Sequence, residues 1–504
     1  MNRTHPPLRI LSFAACAVLS WQSVVAYAQI SHSEEIRVTA DELVHIALTN
    51  NLDIRISRLQ PQVDQFAING LYGAYEPTFS MSATHVYNSQ PGGIFEEGGA
   101  VITSPSTVYR SDNYNPGISG LLPTGLTFNL TGPLLDQNVS GFPRTYQANP
   151  GITLDQPLLK NFWIDGTRYQ IAVAKNTLKT DQQTFRLQVM NVIFNVKAAY
   201  YRLTFAQEDL KVQQEGLALK QQTVSDDKQK VQLGSMRPLD ERQAESQAAT
   251  AQSLVQTAVL TLAQQENTVK MLLARNLGQL DNFNLVPAEQ LIAVPEHPQQ
   301  QERWRIGLDQ RPEMIQAKVK IQSQHVAIKY DFNQLFPQLD LVGSYGRNAT
   351  ELTFDSTLNT IQQGTHPDYT YGVVLSVPLG NSKARYNYKA DRANLQSLFL
   401  QAKKQEWSIV TAIDNDIKVI EADLLKVDYT RQARIYAEEA LQAGQAELKL
   451  GNIVQFQVLQ YQDDLTSARS AEISALSDYN TAIEQLALDD GSILERNHID
   501  LQFR

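Results

Sequence analysis

The residue types that do chemistry are present in this sequence, but they stand too far apart to do it together. His45, His85, His297, His325, His366 and His498 are scattered, and no pair has the spacing of metal ligands. Asp414 and Asp416 lie two apart on a helical stretch and therefore face apart, while Asp489-Asp490 marks a helix end before Gly491. No G-x-S-x-G, Walker A or G-x-G-x-x-G stretch occurs. The single cysteine, Cys16, falls in the N-terminal apolar run. Cleavage before it, after Phe13-Ala14-Ala15, would leave a very short apolar core interrupted by Arg9, so lipidation there is the weaker reading. Without that thiol the chain has no disulfide framework and no thiolate chemistry. No enzyme, cofactor or metal site is expected.

The bulk composition narrows the class further. With 504 residues and 42% hydrophobic content the chain can build a core, and a net charge of −10 argues against nucleic acid as a partner. Arg3 and Arg9 precede an apolar stretch from Ile10 to Leu19, and Ala26-Tyr27-Ala28 offers small residues to a signal peptidase. Residues 1–28 therefore read as a signal peptide, with Gln29 as the mature start. No later run of about 18 apolar residues follows, so any membrane crossing must be made by strands.

The elements that would position functional side chains are long helices. Val189, Val196, Leu203, Leu210, Leu217, Val224 and Val231 recur every seven residues. A straight helix drifts from a strict heptad, so such a seam stays in contact only if helices supercoil. From near Tyr169 to Leu233 the helix would be about 100 Å long at 1.5 Å per residue, and it needs neighbours throughout. The second half repeats the design with Ile413, Ile420, Val427, Leu441 and Leu448, broken only by Arg434. An offset of 217 residues maps Val196 to Ile413 and Val231 to Leu448. The same offset maps Leu233-Gly234-Ser235 to Leu450-Gly451-Asn452, and Leu239 to Phe456. This is a duplication of a coiled-coil hairpin that turns at a glycine.

Ahead of each long helix the period changes to two. Phe79, Met81, Ala83 and Tyr87 alternate with Thr78, Ser80, Ser82 and Thr84; Leu339, Leu341, Gly343 and Tyr345 alternate with Gln338, Asp340 and Ser344. Returning strands are Ile152 to Asp155 and Tyr369 to Val373. Too few strands exist to close a sheet within one chain, whereas strands joined from several chains form a lipid-facing barrel without edges. Gln90 to Ser106 and Ser356 to Pro367 read as loops. Asn113 to Leu135, with Leu126, Phe128 and Leu130 alternating, fits either an additional membrane hairpin or an extracellular ornament. The expected layout is a first repeat over 29–284 (helix, strands 77–157, helical hairpin 161–278) and a linker over 285–311. A second repeat follows over 312–492 (helix, strands 337–379, helical hairpin 382–488), then a tail over 493–504.

In this order the segments resemble the TolC-like outer-membrane efflux protein family. Thr39 to Asp53, with Ala47-Leu48 ahead of Asn50-Asn51, is similar to the family's opening helix. Gln156-Pro157-Leu158 and Val377-Pro378-Leu379 resemble its strand-to-helix corners, and the Leu-Gly turns resemble its hairpin tips. The resemblance implies a mainly α chain with a β membrane part. Three copies would form a 12-stranded barrel continuous with twelve helices reaching into the periplasm of a Gram-negative-type bacterium. It further implies an exit duct for efflux or type I secretion, embedded in outer-membrane lipid and served by a periplasmic adaptor and an inner-membrane pump of RND, MFS or ABC type. The rival expectation is an exported coiled-coil or adhesin-like surface protein, which would have a solid apolar centre.

Under that resemblance, function resides in a gate and in docking tips. Counted from the tip glycines, Gln457 and Gln460 stand where the family's best-known member has aspartates, and Asp240 and Gln243 are their first-half counterparts. Glutamine rings would be neutral, with Asp463 and Asp464 one turn higher restoring negative potential. Leu448 and Ile453 replace the tyrosine and arginine of the family's lock, so closure needs other contacts. The docking candidates are Leu233, Gly234, Ser235, Leu450, Gly451 and Asn452.

Overall fold

A computed structural model describes residues 34–273 and 283–501. The expected signal peptide, with Cys16 and the start at Gln29, lies outside the described residues, as does the expected end of the first hairpin at 278.

The first repeat opens with β1 (Glu34–Val38), α1 (Ala40–Asn50) and α2 (Leu52–Tyr72). Asn51 separates the two helices: its Oδ1 accepts from the Asp53 and Ile54 amides, and its Nδ2 donates to the Leu272 carbonyl at 2.9 Å. Strands β2 (Thr78–Gln90), β3 (Ile94–Glu97), β4 (Ala100–Thr103), β5 (Thr107–Leu121), β6 (Thr127–Thr131), β7 (Leu134–Val139), β8 (Thr145–Ala148) and β9 (Gly151–Pro157) follow. The helical hairpin is α3 (Gly166–Gln232) and α4 (Pro238–Leu273). Strand β10 (Phe283–Pro287) pairs in parallel with β1 and so ties the linker to the start of the chain. The second repeat comprises α5 (Gln300–Gln310), α6 (Pro312–Asn333), β11 (Gln338–Arg347), β12 (Ala349–Glu351), α7 (Phe354–Gln363) and β13 (Pro367–Ser376). It ends with α8 (Ser382–Leu450), α9 (Gln455–Asp489) and the short α10 (Ile493–Arg496). Helix α7 occupies the stretch expected to be a loop; Thr353 caps its start, and Gly364 ends it in left-handed geometry.

Helices α3 and α8, of 67 and 69 residues, are rods of about 100 Å. Their cores lie at the level where α1, α5 and the end of α9 wrap them. Val189, Val196 and Leu203 sit in one cluster, and Ile413, Ile420 and Val427 in another. Farther from the sheet Leu210, Leu217, Val224 and Val231 are only half-buried within the chain. Arg434, the polar break in the second seam, pairs with Glu472 on α9. The strand-to-helix corners share one device. Asn161 and Asn381 both take positive φ, and the Asn333 and Gln334 side chains bind Asn161 while Asn381 donates to the Leu335 carbonyl.

The main sheet corrects the strand count that the resemblance implied. Four lines per chain were implied, and the structure has six: β2, β5, β6 with β7, β9 with β8, β11 with β12, and β13, all antiparallel. The broken lines keep one register across each break. Gly117↔Thr131 continues as Tyr114↔Leu134, and Gly346↔Gly151 continues as Ala349↔Ala148. The breaks fall where Pro116, Pro133 and Pro150 remove a donor from the ladder. Asn113 to Leu135 is thus an additional hairpin within the sheet. Its alternation around a short turn resembles that of any other strand pair, so the sequence did not distinguish hairpin from ornament.

All six lines obey a single alternation. One face carries Phe79 and Met81, then Ile118 and Tyr114, Phe128 and Leu130, Ile152 and Leu154, Leu341 and Tyr345, and Val373 and Tyr371. The other face carries Ser80, Ser82, Asn115, Ser119, Asn129, Thr131, Thr153, Ser344 and Thr370. The polar face is concave, enclosing a space lined by Ser80, Asn115, Ser119, Asn129 and Thr153. An apolar convex face and a polar concave one are what a wall between lipid and water requires.

Candidate functional site

The two hairpin tips are built from the same hydrogen bonds. In the first, Gly234 has φ +76°, its amide donates to the Val231 carbonyl at 3.0 Å, and the Ser235 amide donates to Lys230 at 2.9 Å. In the second, Gly451 has φ +77°, its amide donates to Leu448 at 3.0 Å, and the Asn452 amide donates to Glu447 at 3.0 Å. This is the Schellman stop twice over, 217 residues apart, and the return helices restart at the matching Pro238 and Gln455. A Cβ at either glycine would meet nothing within 4 Å, so glycine is required there by the sign of φ rather than by space. Around the turns Leu233 (82% exposed), Leu239, Leu450 (72%), Val454 and Phe456 present apolar side chains to solvent.

The gate candidates divide into three groups. On α9, Gln457, Gln460 and Asp464 form one exposed stripe, and Gln460 Nε2 donates to Asp464 Oδ1 at 3.1 Å. Asp463 is turned the other way and forms an ion pair with Lys220 on α3, whose side chain is only 4% exposed. On α4, Gln243 is exposed, while Asp240 is held by both arms of Arg237 at 2.9 and 3.1 Å. Among the described residues no hydrogen bond or ion pair joins the α4 group to the α9 group. Leu448 and Ile453 instead pack on the apolar cluster of Leu441, Val458 and Leu465.

Heptad reading missed a polar ladder between α3 and α9. Besides Lys220–Asp463 it contains Lys197–Glu484 at 3.1 Å, Ser470 Oγ donating to Asp209 at 2.6 Å, Arg469–Glu215 at 3.1 Å and Gln462 Nε2 donating to Thr223 Oγ1 at 3.3 Å. Gly216 lets Thr466 come close, since a Cβ there would lie 2.9 Å from its Oγ1. The available signal was polar residues on α3 bordering the apolar seam, but their partners lie 239 or more residues away in sequence. Near the first tip, the Asp227 carboxylate is buried with no hydrogen-bond partner, and Lys230 stands 3.8 Å away. Burial pushes its pKa up to about 6, opposed by Lys230 and assisted by Asp226, Asp240 and Glu241.

Solved structures share this fold. CusC, described in terms of transmembrane channel formation, aligns over 91% of this chain and 93% of its own with a TM-score of 0.66 at 15% identity. The Campylobacter jejuni outer membrane channel CmeC aligns over 99% of both chains with a TM-score of 0.66 at 14% identity. In sequence, the outer membrane efflux protein BepC of Brucella suis is 22% identical over 386 residues, covering 75% of this chain and 78% of BepC. The family model for outer membrane efflux proteins matches residues 307–492. The second half of this chain, residues 307–492, is thus similar to the outer membrane efflux protein family. The fold of the whole chain is that of the channels CusC and CmeC. Its sheet stays open in a single chain. Among the described residues no helix is long and apolar enough to cross a membrane, and no cluster of three or more His, Cys, Asp or Glu is placed to hold a metal.

Proposed function

We propose that this protein is the exit duct of a tripartite efflux or type I secretion system, acting as a homotrimer. A periplasmic adaptor and an inner-membrane pump would deliver substrate to its tips. The observation that carries this reading is the pairing of two ends on one rod. A sheet with a lipid-type outer face stands at one end, and two matched tips with exposed Leu233, Leu239, Leu450, Val454 and Phe456 stand about 100 Å away. Exposed apolar side chains on a defined turn suit docking of a helical partner, whereas a solid surface stalk needs neither a polar concave sheet face nor sticky tips.

The α3–α9 ladder supports a closed tip in which α9 is held against α3. Lys220 and Asp463 are its most buried ion pair near the tip, and Gln457, Gln460 and Asp464 would line the passage on the free face of α9. The test is reconstitution. Purified protein is expected to run as a trimer and to conduct in planar bilayers. Lys220→Glu, which sets like charges together, is expected to raise conductance severalfold, and adding Asp463→Lys should restore closure. A stable monomer without pores overturns the duct, and unchanged conductance in Lys220→Glu overturns the lock. With Cys16 in the expected signal peptide, Ser235→Cys and Asn452→Cys would each supply a single thiol for cross-linking the adaptor at the tips.

A further inference from the structure

We infer that the assembled barrel has eighteen strands, six from each chain, and is as wide as the helical tunnel beneath it. This rests on the homotrimer proposed above. The additional hairpin of β5 and β6–β7 is the source of the extra width. It lies inside the sheet rather than on its rim, because among the described residues β2 pairs only with β5, and β6 pairs with β9 on its far side. Its two strands carry the common alternation, with Ile118, Phe128 and Leu130 on the apolar face and Asn115, Ser119 and Asn129 on the polar face.

Two further observations place the hairpin in the wall. First, its turn is at the rod end of the sheet, where an extracellular ornament would not be. The Leu122 amide donates to the Leu126 carbonyl at 2.8 Å, and Gln156 Nε2 donates to the Thr124 carbonyl at 3.2 Å beside the corner that starts α3. Second, the strand parity allows closure. An even number of antiparallel lines leaves β2 and β13 running in opposite directions at the two free edges. The β13 edge of one copy can therefore take the β2 edge of the next as an antiparallel partner, apolar face to apolar face.

The girth of the two parts then agrees. Strands about 4.8 Å apart and tilted about 40° occupy about 6 Å of circumference each, so six span about 38 Å and four span about 25 Å. Four helices side by side at about 10 Å span about 40 Å. Three copies with six strands give a barrel about 36 Å across, half as wide again as twelve strands at that tilt. A barrel of this size leaves an aqueous channel, with Ser80, Asn115, Ser119, Asn129 and Thr153 on its inner wall.

Single-cysteine variants of the full chain, spin-labelled in lipid nanodiscs, test this. The sites are Ile118, Leu130 and Tyr371 on the apolar face, and Ser119, Asn129 and Thr370 on the polar face. Native mass spectrometry measures the copy number in parallel. The expected result is a trimer in which the first three labels are relaxed severalfold more by oxygen than by a water-soluble nickel complex, and the last three show the reverse. Alternation at Tyr371 and Thr370 with all four β5 and β6 sites exposed to nickel overturns the eighteen-stranded barrel and leaves the duct standing. Loss of alternation at every site, or a copy number other than three, overturns the duct reading on which it rests.

Discussion

The two halves of this chain are alike at one end and unlike at the other. At the tips, Gly234 and Gly451 stop their helices with the same two hydrogen bonds at the same 217-residue offset. At the sheet, the first half contributes four strand lines and the second only two. The difference shows which geometry tolerates change. A helix stop is set by one left-handed residue, and any shift would rotate every seam residue beyond it. An antiparallel sheet accepts two strands at once, because a hairpin restores both strand direction and the facing of side chains. Duplication therefore preserved the backbone of the tips, while the wall was free to widen.

The largest expected effect comes from the wall. Leu130→Arg places a charge on the lipid face at a cost of about 2–4 kcal/mol if the site lies near the midplane, whereas Asn129→Arg on the next residue faces the lumen. The first should deplete the protein from the outer-membrane fraction, and the second should leave its level unchanged; equal levels would erase the distinction between the faces. Next come the tips. Gly234→Val and Gly451→Val each force a branched side chain into left-handed geometry, at about 1–2 kcal/mol. Thermal unfolding should show equal losses, since neither site meets a neighbour within 4 Å. Unequal losses would mean that the tips share less than their backbones indicate.

A smaller effect separates the tips by pH. Asp227 in the first hairpin has its pKa raised to about 6 from an ordinary value of 3.8. The folded state therefore binds this proton more tightly than the unfolded chain, and the tip gains stability as pH falls from about 6 towards 4. Hydrogen-exchange protection factors, corrected for the intrinsic pH dependence of exchange, should rise in the turn at 233–237 over that range and lose this pH dependence in Asp227→Asn, with those of the turn at 450–454 unchanged. The smallest effect concerns ion choice. Replacing Gln457 and Gln460 with Asp adds negative charge to an exposed stripe and should raise cation preference without altering stability. An unchanged reversal potential would remove these positions from the passage.

Much of this architecture was legible in the sequence, and the reason is periodicity. The heptads from Val189 to Val231 and from Ile413 to Leu448 specify rods because a seven-residue seam has only one solution, and Leu-Gly at the offset marks their ends. The alternation from Phe79 to Tyr87 specifies a strand for the same reason. Less could be read where geometry depends on distant partners. The place of Asn113 to Leu135 depended on pairing with β2 and β9, which local alternation does not encode. Asp463 read as a free acid in a gate, but Lys220 lies 243 residues earlier and turns it into an interhelical tie. Arg434 looked like a flaw in a seam until Glu472 met it across the hairpin.

The central claim is that one chain joins a membrane wall directly to a rod. Electron cryo-microscopy of the purified protein in lipid nanodiscs addresses it most directly. The account requires density for the main sheet, β2, β5 to β9 and β11 to β13, within the bilayer and rods extending about 100 Å from one side only. Rods folded back into a compact body, or a sheet standing clear of the lipid, would contradict it.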